Sequence, residues 1–245
     1  MRRIAVVSDI HGNLAALEAV LTDIARRGAD QIVNLGDICS GALYPRETAD
    51  RLMALNLPSI RGNHERQVLT LPRDRMGLSD RHALDTLRPD QIDWLGSLPA
   101  QLRLTEDVLM VHGTPRSDVE YWMETVEPAG LRPATTAEIR ARAEGVEATV
   151  VLCGHTHIPR IVQIDGGPLV VNPGSVGLPA YDDDRPFPHV VETGTPHARY
   201  AIIETREDGW SAQLLAVAYD WDEAARVARA NGREDWARAL GTGRV

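Results

Sequence analysis

The sequence predicts an α/β protein, on two observations. Short apolar runs alternate with segments of helical spacing through the first half of the chain, and the apolar runs end repeatedly in polar residues. Such alternation implies a mostly parallel sheet, in which ligands bind outside the carboxyl ends of the strands.

Taken in order, residues 3–8 are expected as a buried strand. Asn13 then caps a helix whose apolar positions Leu14, Leu17, Leu21 and Ile24 keep helical spacing until Gly28 stops it. Residues 31–35 are expected as a strand ending at Gly36-Asp37, residues 46–55 as a helix, and residues 58–60 as a short strand ending at Arg61-Gly62-Asn63-His64. Residues 65–96 are helical in composition, with breaks at Pro72 and Pro89, and are expected over one side of the strand-end face. Strands dominate from Val108. Residues 108–111 lead to His112-Gly113, and residues 149–152 to Cys153-Gly154-His155-Thr156-His157. Residues 158–164 and 169–171 flank the turn Asp165-Gly166-Gly167, and residues 200–205 and 211–218 flank another at Glu207-Asp208-Gly209. Two surface helices, 220–230 and 234–240, complete the pattern. No linker divides residues 1–245, which read as a single domain.

Composition narrows the function classes. At 43% hydrophobic and 25% charged residues, the chain has the balance of an ordinary globular protein with a sizeable core. The apolar run at 4–7 meets Asp9 too soon for a secretory signal, and no stretch is long enough to span a membrane. Cys39 and Cys153 are too few for a disulfide framework and are expected as reduced thiols, which makes the cytoplasm the default location. A formal charge of −9 argues against a broad nucleic-acid surface. It leaves phosphate substrates open, because bound divalent cations would be the largest local charges in any site that held them.

The chemistry is concentrated at strand ends. Five of the eight histidines fall, with two aspartates and an asparagine, in clusters directly after apolar runs: Asp9/His11, Asp37, Asn63/His64, His112 and His155/His157. Any one polar strand end is ordinarily just a turn. Five that converge in a parallel sheet form a mixed oxygen and nitrogen donor set suited to Mn, Fe, Zn or Ni. Asp9-Ile10-His11 lets two side chains leave one loop toward one ion, as does His155-Thr156-His157, with Gly154 permitting close backbone approach.

These residues match, in full and in order, the D-x-H, G-D, G-N-H-[DE], H and G-H-x-H pattern of the calcineurin-like metallophosphoesterases. Val111-His112-Gly113-Thr114-Pro115-Arg116, Cys153-Gly154-His155-Thr156-His157-Ile158-Pro159 and Asn172-Pro173-Gly174-Ser175-Val176-Gly177 extend the likeness. They resemble the small bacterial and archaeal YfcE-like phosphoesterases, to about residue 205. The resemblance implies a four-layer α/β/β/α sandwich of two mixed β-sheets flanked by helices. It implies two divalent ions, manganese foremost, one held by Asp9, His11, Asp37 and His157 and the other by Asp37, Asn63, His112 and His155, with Asp37 bridging. His64 resembles the family's proton donor, so that His64 and Asn63 stand as catalytic candidates. The implied reaction is hydrolysis of a phosphate ester by a hydroxide bridging two metal ions. A phosphodiesterase acting on small or nucleotide-like substrates is expected, with a phosphomonoesterase, a dinucleoside polyphosphate hydrolase or a catalytically weak scaffold as alternatives.

Two departures stand out. Gly36-Asp37-Ile38-Cys39-Ser40-Gly41 lacks the Asp and Arg that orient the histidine and grip phosphate in protein phosphatases of the superfamily, which weakens that reading. Residues 182–197, with Asp182-Asp183-Asp184-Arg185 and several prolines, look like a loop insertion: a lid, a subunit contact or a mobile loop. Arg61 and Arg116 are candidates for gripping substrate phosphate, against the simpler reading of surface salt bridges. His82 is expected as a solvated helix residue, His189 and His197 have no foreseeable partner, and the acidic run is expected to be solvated rather than to bind a cation.

Overall fold

A computed structural model describes residues 2–207 and 209–245. Strand β1 (Arg3–Val7) leads through Asn13, whose side chain accepts from the Ala16 amide, into helix α1 (Leu14–Arg27). Strand β2 (Gln31–Asn34) pairs parallel with β1 and is followed by α2 (Pro45–Leu55). The strand expected at 58–60 is a single parallel bridge, Asn34 to Ser59, too short to extend the sheet. The segment expected to be helical divides into α3 (Asn63–Thr70), a 3₁₀ turn at Arg73–Arg75, α4 (Leu78–Thr86) and α5 (Pro89–Ser97). Pro89 occupies the first position of α5, where no intrahelical N–H is needed.

The second half supplies β3 (Gln101–Arg103), β4 (Val108–Val111), a hairpin of β5 (Glu124–Glu127) and β6 (Gly130–Pro133), α6 (Thr136–Arg142), β7 (Val150–Leu152), β8 (Arg160–Gln163) and β9 (Leu169–Asn172). Within residues 182–197, where a loop was expected, β11 (His189–Glu192) pairs antiparallel with β10 (Ala180–Asp183). The hairpin is short and buries only alternate residues, among them Ala180, His189 and Val191, so its Asp- and Pro-rich tip dominates the sequence. Strands β12 (Ala198–Arg206) and β13 (Gly209–Val217) pair antiparallel across the turn that contains Asp208, which lies outside the described residues. Helices α7 (Trp221–Ala230) and α8 (Glu234–Thr242) follow.

Two large mixed sheets result, a four-stranded one ordered β13-β12-β1-β2 and a five-stranded one ordered β3-β4-β7-β9-β8. Strand alternation sorts their side chains into layers. Ile4, Val6, Val33, Leu35, Ala201 and Ile203 meet Val108, Met110, Val150, Leu152 and Val171 between the sheets. The intervening residues Ala5, Val7, Tyr200 and Ile202 face outward and pack with Leu17, Val20, Leu52 and Leu95 of α1, α2 and α5. On the far side, Val151 and Val170 pack with Trp122, Met123 and Ile139. Burial on both faces explains the continuous apolar runs of β1 and β7. The expected four-layer architecture is what forms, and the parallel pairs β1/β2, β4/β7 and β7/β9 send their carboxyl ends to one edge.

Candidate metal centre

The loops leaving those strand ends continue to pair after the strands stop. Backbone amides of Asp9, His11 and Gly12 donate to the carbonyls of Gly36, Asp37 and Ile38, the Gly154 amide donates to the His112 carbonyl, and the Gly177 amide to the Asp9 carbonyl. The side chains of Asp9, His11, Asp37, Asn63, His112 and His157 are thereby buried at one point, with His155 half-buried beside them. Asp9, His11 and His157 form one group, and Asp37, His112 and His155 another, each with donor atoms within 4.8 Å of one another. Asn63 Oδ1 stands 3.1 Å from His112 Nε2.

The backbone is strained where the donors sit. Asp9, His11, Asp37, His155 and His157 all have positive φ, between 52° and 68°. Such conformations cost of order 1–3 kcal/mol each and persist only where the surroundings enforce them. At Gly62 a side chain would strike the Asp37 carboxylate and the His112 ring, and at Gly154 it would strike Ser8 and the Asp9 carboxylate. The centre is closed around its donors.

Its polar pairing is incomplete without a cation. His11 Nδ1 lies 2.7 Å from the Ser40 carbonyl, His157 Nδ1 lies 2.8 Å from the Leu178 carbonyl and His112 Nδ1 lies 2.8 Å from the Leu35 carbonyl. A carbonyl only accepts, so each Nδ1 donates, and a ring in its neutral form then turns a lone pair on Nε2 inward. His11 Nε2 and His157 Nε2 face each other at 3.1 Å. Two inward lone pairs beside the Asp9 carboxylate, 3.3 Å from His157 Nε2, are a donor set for a divalent ion. The residues fit two such ions.

Electrostatics agree. Burial and the neighbouring His157 depress His11 to about 4, and burial with His112 nearby depresses His155 to about 3, so both rings are neutral near pH 7. Burial opposes charge on the two carboxylates, but His157 holds Asp9 below its ordinary value, and His112 and His64 hold Asp37 well below it. In the ion-free chain burial also disfavours charge on His112, yet the Asp37 carboxylate 3.1 Å away overrides it and raises the ring to about 10. A ligating imidazole must be neutral, so cations would reverse that last shift.

His64 stands apart from the donor groups. Its Nδ1 lies 2.6 Å from Oδ1 of Asp80, a buried carboxylate in the first turn of α4. Asp80 is the residue that sequence reasoning missed: it supplies from α4 the orienting carboxylate absent from the segment after Asp37. No spacing in the sequence marks it. Glu65 is matched as the last residue of the G-N-H-[DE] motif but given no role by the sequence. Its buried carboxylate accepts the amides of Asp37, Ile38 and Gly62, each at 2.8 Å, and so fixes the loop carrying Asp37.

A cleft of about 820 Å³ opens over His11, Asp37, Asn63, His64, His155 and His157, walled by α4, the β10–β11 hairpin and α8. Neither Arg61 nor Arg116 lines it, and Arg116 instead donates to the Ala141 carbonyl. The cleft arginines are Arg185, Arg233 and Arg238. His82 lies 3.2 Å from the Leu43 carbonyl, away from the cleft. Of the two histidines without a foreseeable partner, His189 lies 2.9 Å from the Tyr121 hydroxyl and His197 packs on Trp221. Asp182, Asp183 and Asp184 are exposed, and Cys39 and Cys153 are buried free thiols that burial pushes well above their ordinary range.

Comparison with known proteins agrees with this geometry. The chain is 26% identical over 257 residues to an uncharacterized protein of Methanocaldococcus jannaschii, covering 95% of this chain and 94% of the relative. It is 30% identical over 189 residues to phosphodiesterase YfcE of Escherichia coli, covering 73% of this chain and 82% of the relative. A crystal structure of a metallophosphoesterase from Sphaerobacter thermophilus superposes with a TM-score of 0.76 at 26% identity, over 98% of this chain and 99% of the other. Residues 1–207 match the calcineurin-like phosphoesterase superfamily domain, and the chain belongs to that superfamily.

Proposed function

We propose that the protein is a dinuclear metal-dependent phosphoesterase, with one ion held by Asp9, His11, Asp37 and His157 and the second by Asp37, Asn63, His112 and His155. The observation that carries this reading is the pair of inward Nε2 lone pairs on His11 and His157, 3.1 Å apart. When bound, divalent ions acidify water to a nucleophile near neutral pH and neutralise charge on the phosphoryl group. The residues do the rest. Asp37 would be shared by the two ions, and its charge would lower their mutual repulsion. Carbonyls of Ser40, Leu178 and Leu35 hold the ligand rings in the tautomer that leaves Nε2 free. His64, oriented through Nδ1 by Asp80, carries a proton on Nε2 for the departing oxygen.

The cleft exceeds what a phosphate group alone needs, which supports a small diester or nucleotide-like substrate, and the similarity to phosphodiesterase YfcE points the same way. The mixed carboxylate, carboxamide and imidazole donors suit Mn, Fe, Zn or Ni, and the family resemblance puts manganese first. Among the described residues no helix is long and apolar enough to cross a membrane. Two reduced thiols and a soluble ester substrate fit a cytoplasmic enzyme.

Manganese reconstitution followed by elemental analysis and assay of bis(p-nitrophenyl) phosphate against p-nitrophenyl phosphate tests the reading. Two equivalents of metal and metal-dependent turnover favouring the diester are expected. A chain that binds no metal, or that binds two equivalents and turns over neither ester, would not be this enzyme.

A further inference from the structure

We propose that Arg233 is a substrate-binding residue that recognises a second anionic group on the leaving-group side of the cleft, so that the preferred substrates bear a phosphate or similar anion on the departing portion. The inference rests on the phosphoesterase reading above for which side is which. Asp80 holds the proton donor His64, and its neighbour Ser79 receives a hydrogen bond from Arg233 Nη1 at 3.0 Å. Arg233 is thus tied to the helix that orients the proposed proton donor His64 and lines the same cleft, which puts it on the side assigned to the leaving portion.

The guanidinium is held like a recognition element. Asp235 takes the Nε and Nη2 edge, at 3.0 and 2.6 Å, Ser79 takes one hydrogen of Nη1, and the cation lies 5.4 Å from the Trp236 ring centroid. Trp236 in turn packs edge-on against the His11 ring, with centroids 5.9 Å apart. Only 15% of the Arg233 side chain is exposed. An arginine has five N–H hydrogens, so one on each Nη remains unused by the described residues while the group lines the cleft. A fixed fork with two free donors matches a phosphoryl or carboxylate oxygen pair and loses little entropy on binding.

Arg185 of the hairpin and Arg238 of α8 line the same wall, and neither guanidinium has a hydrogen-bond or ion-pair partner among the described residues. Asp182, Asp183 and Glu234 line it too. The wall is thus no general basic patch, and an anion would be drawn by the oriented fork rather than by net charge. Helix α8 lies beyond residues 1–207, so this part of the cleft is separate from the segment that defines the superfamily.

Binding of propane-1,3-bisphosphonate and propylphosphonate to the manganese-loaded full chain, measured by calorimetry, reads this contact without turnover. The wild type should bind the bisphosphonate at least about tenfold more tightly, and Arg233→Gln should abolish that preference while still binding propylphosphonate. Should Arg233→Gln not fold, Arg233→Lys keeps the charge and stem but lacks the fork, and the preference should fall severalfold. Equal affinities in the wild type, or a preference unchanged in a folded variant, would overturn the proposal. If the chain hydrolyses no ester yet shows the Arg233-dependent preference, the anion site stands and the phosphoesterase reading fails.

Discussion

His64 Nδ1 and Asp80 Oδ1 lie 2.6 Å apart, joining a residue at the first turn of α3 to one at the first turn of α4. Because Asp80 is buried and His64 sits at the rim of the donor cluster, the pair fixes both the ring orientation and which nitrogen faces the cleft. Asp80→Asn should retain both metals and lower turnover by about 10–100-fold, the range for lost supporting hydrogen bonds. Full activity with an unchanged leaving-group dependence would remove Asp80 from the mechanism.

Replacing the donor itself should cost more. His64→Asn should keep its metals, since no ion is assigned to it, and lose about 10²–10⁴-fold in turnover. The loss should be larger for an alkyl ester than for a nitrophenyl ester, whose leaving group is already a stable anion. Equal losses on both esters would assign His64 to charge stabilisation instead of proton transfer.

Charge at the bridge should govern metal retention. In the proposed arrangement Asp37 would serve both ions with a carboxylate, whereas Asn63 would give one neutral oxygen, so Asp37→Asn should lower metal content more than Asn63→Ala. Elemental analysis finding two equivalents in the Asp37→Asn protein would refute the bridge.

The ion-free protein should carry a pH signature of the His64 pair. Burial disfavours the charged ring, but the Asp37 charge and the Asp80 hydrogen bond raise His64 from 6.5 to about 9. A raised folded-state value means that the folded chain binds the proton more tightly than the unfolded chain. The resulting stability is complete below 6.5 and is lost as pH rises through 9. The melting-temperature gap between metal-free wild type and His64→Asn should therefore narrow from pH 6.5 to 9. A gap constant over that window would mean that His64 is uncharged there.

Tight packing at Gly62 gives a fourth handle on the centre. A Cβ there meets the Asp37 carboxylate and the His112 ring, both part of the buried centre, so Gly62→Ala should lose metal before it loses its fold. Retention of two equivalents, measured alongside an unchanged circular dichroism spectrum, would show that the loop can yield.

The convergence of Asp9, His11, Asp37, Asn63, His112, His155 and His157 was legible in the sequence because each lies just beyond an apolar run. Strand length, turn chemistry and residue type are local properties, and parallel pairing brings such ends together whatever lies between them. Burial of β1 and β7 on both faces was equally local, written in the apolar runs Ile4-Ala5-Val6-Val7 and Val150-Val151-Leu152. Contacts between elements distant in the chain had no such signal. Asp80 reaches His64 only because α4 folds back over α3, and Arg233, at the start of α8, reaches Ser79 of α4 across 154 residues of sequence. Arg61 and Arg116 sit next to ligands in the chain yet outside the cleft. The β10–β11 hairpin, read as a loop, owes its order to Tyr121, whose hydroxyl meets the Tyr181 hydroxyl at 2.7 Å and His189 at 2.9 Å. Thus local pattern determined which groups converge at the proposed metal centre, whereas packing of separate helices and the hairpin decided what lines the cleft above it, because that packing depends on surfaces that meet only once the chain has folded.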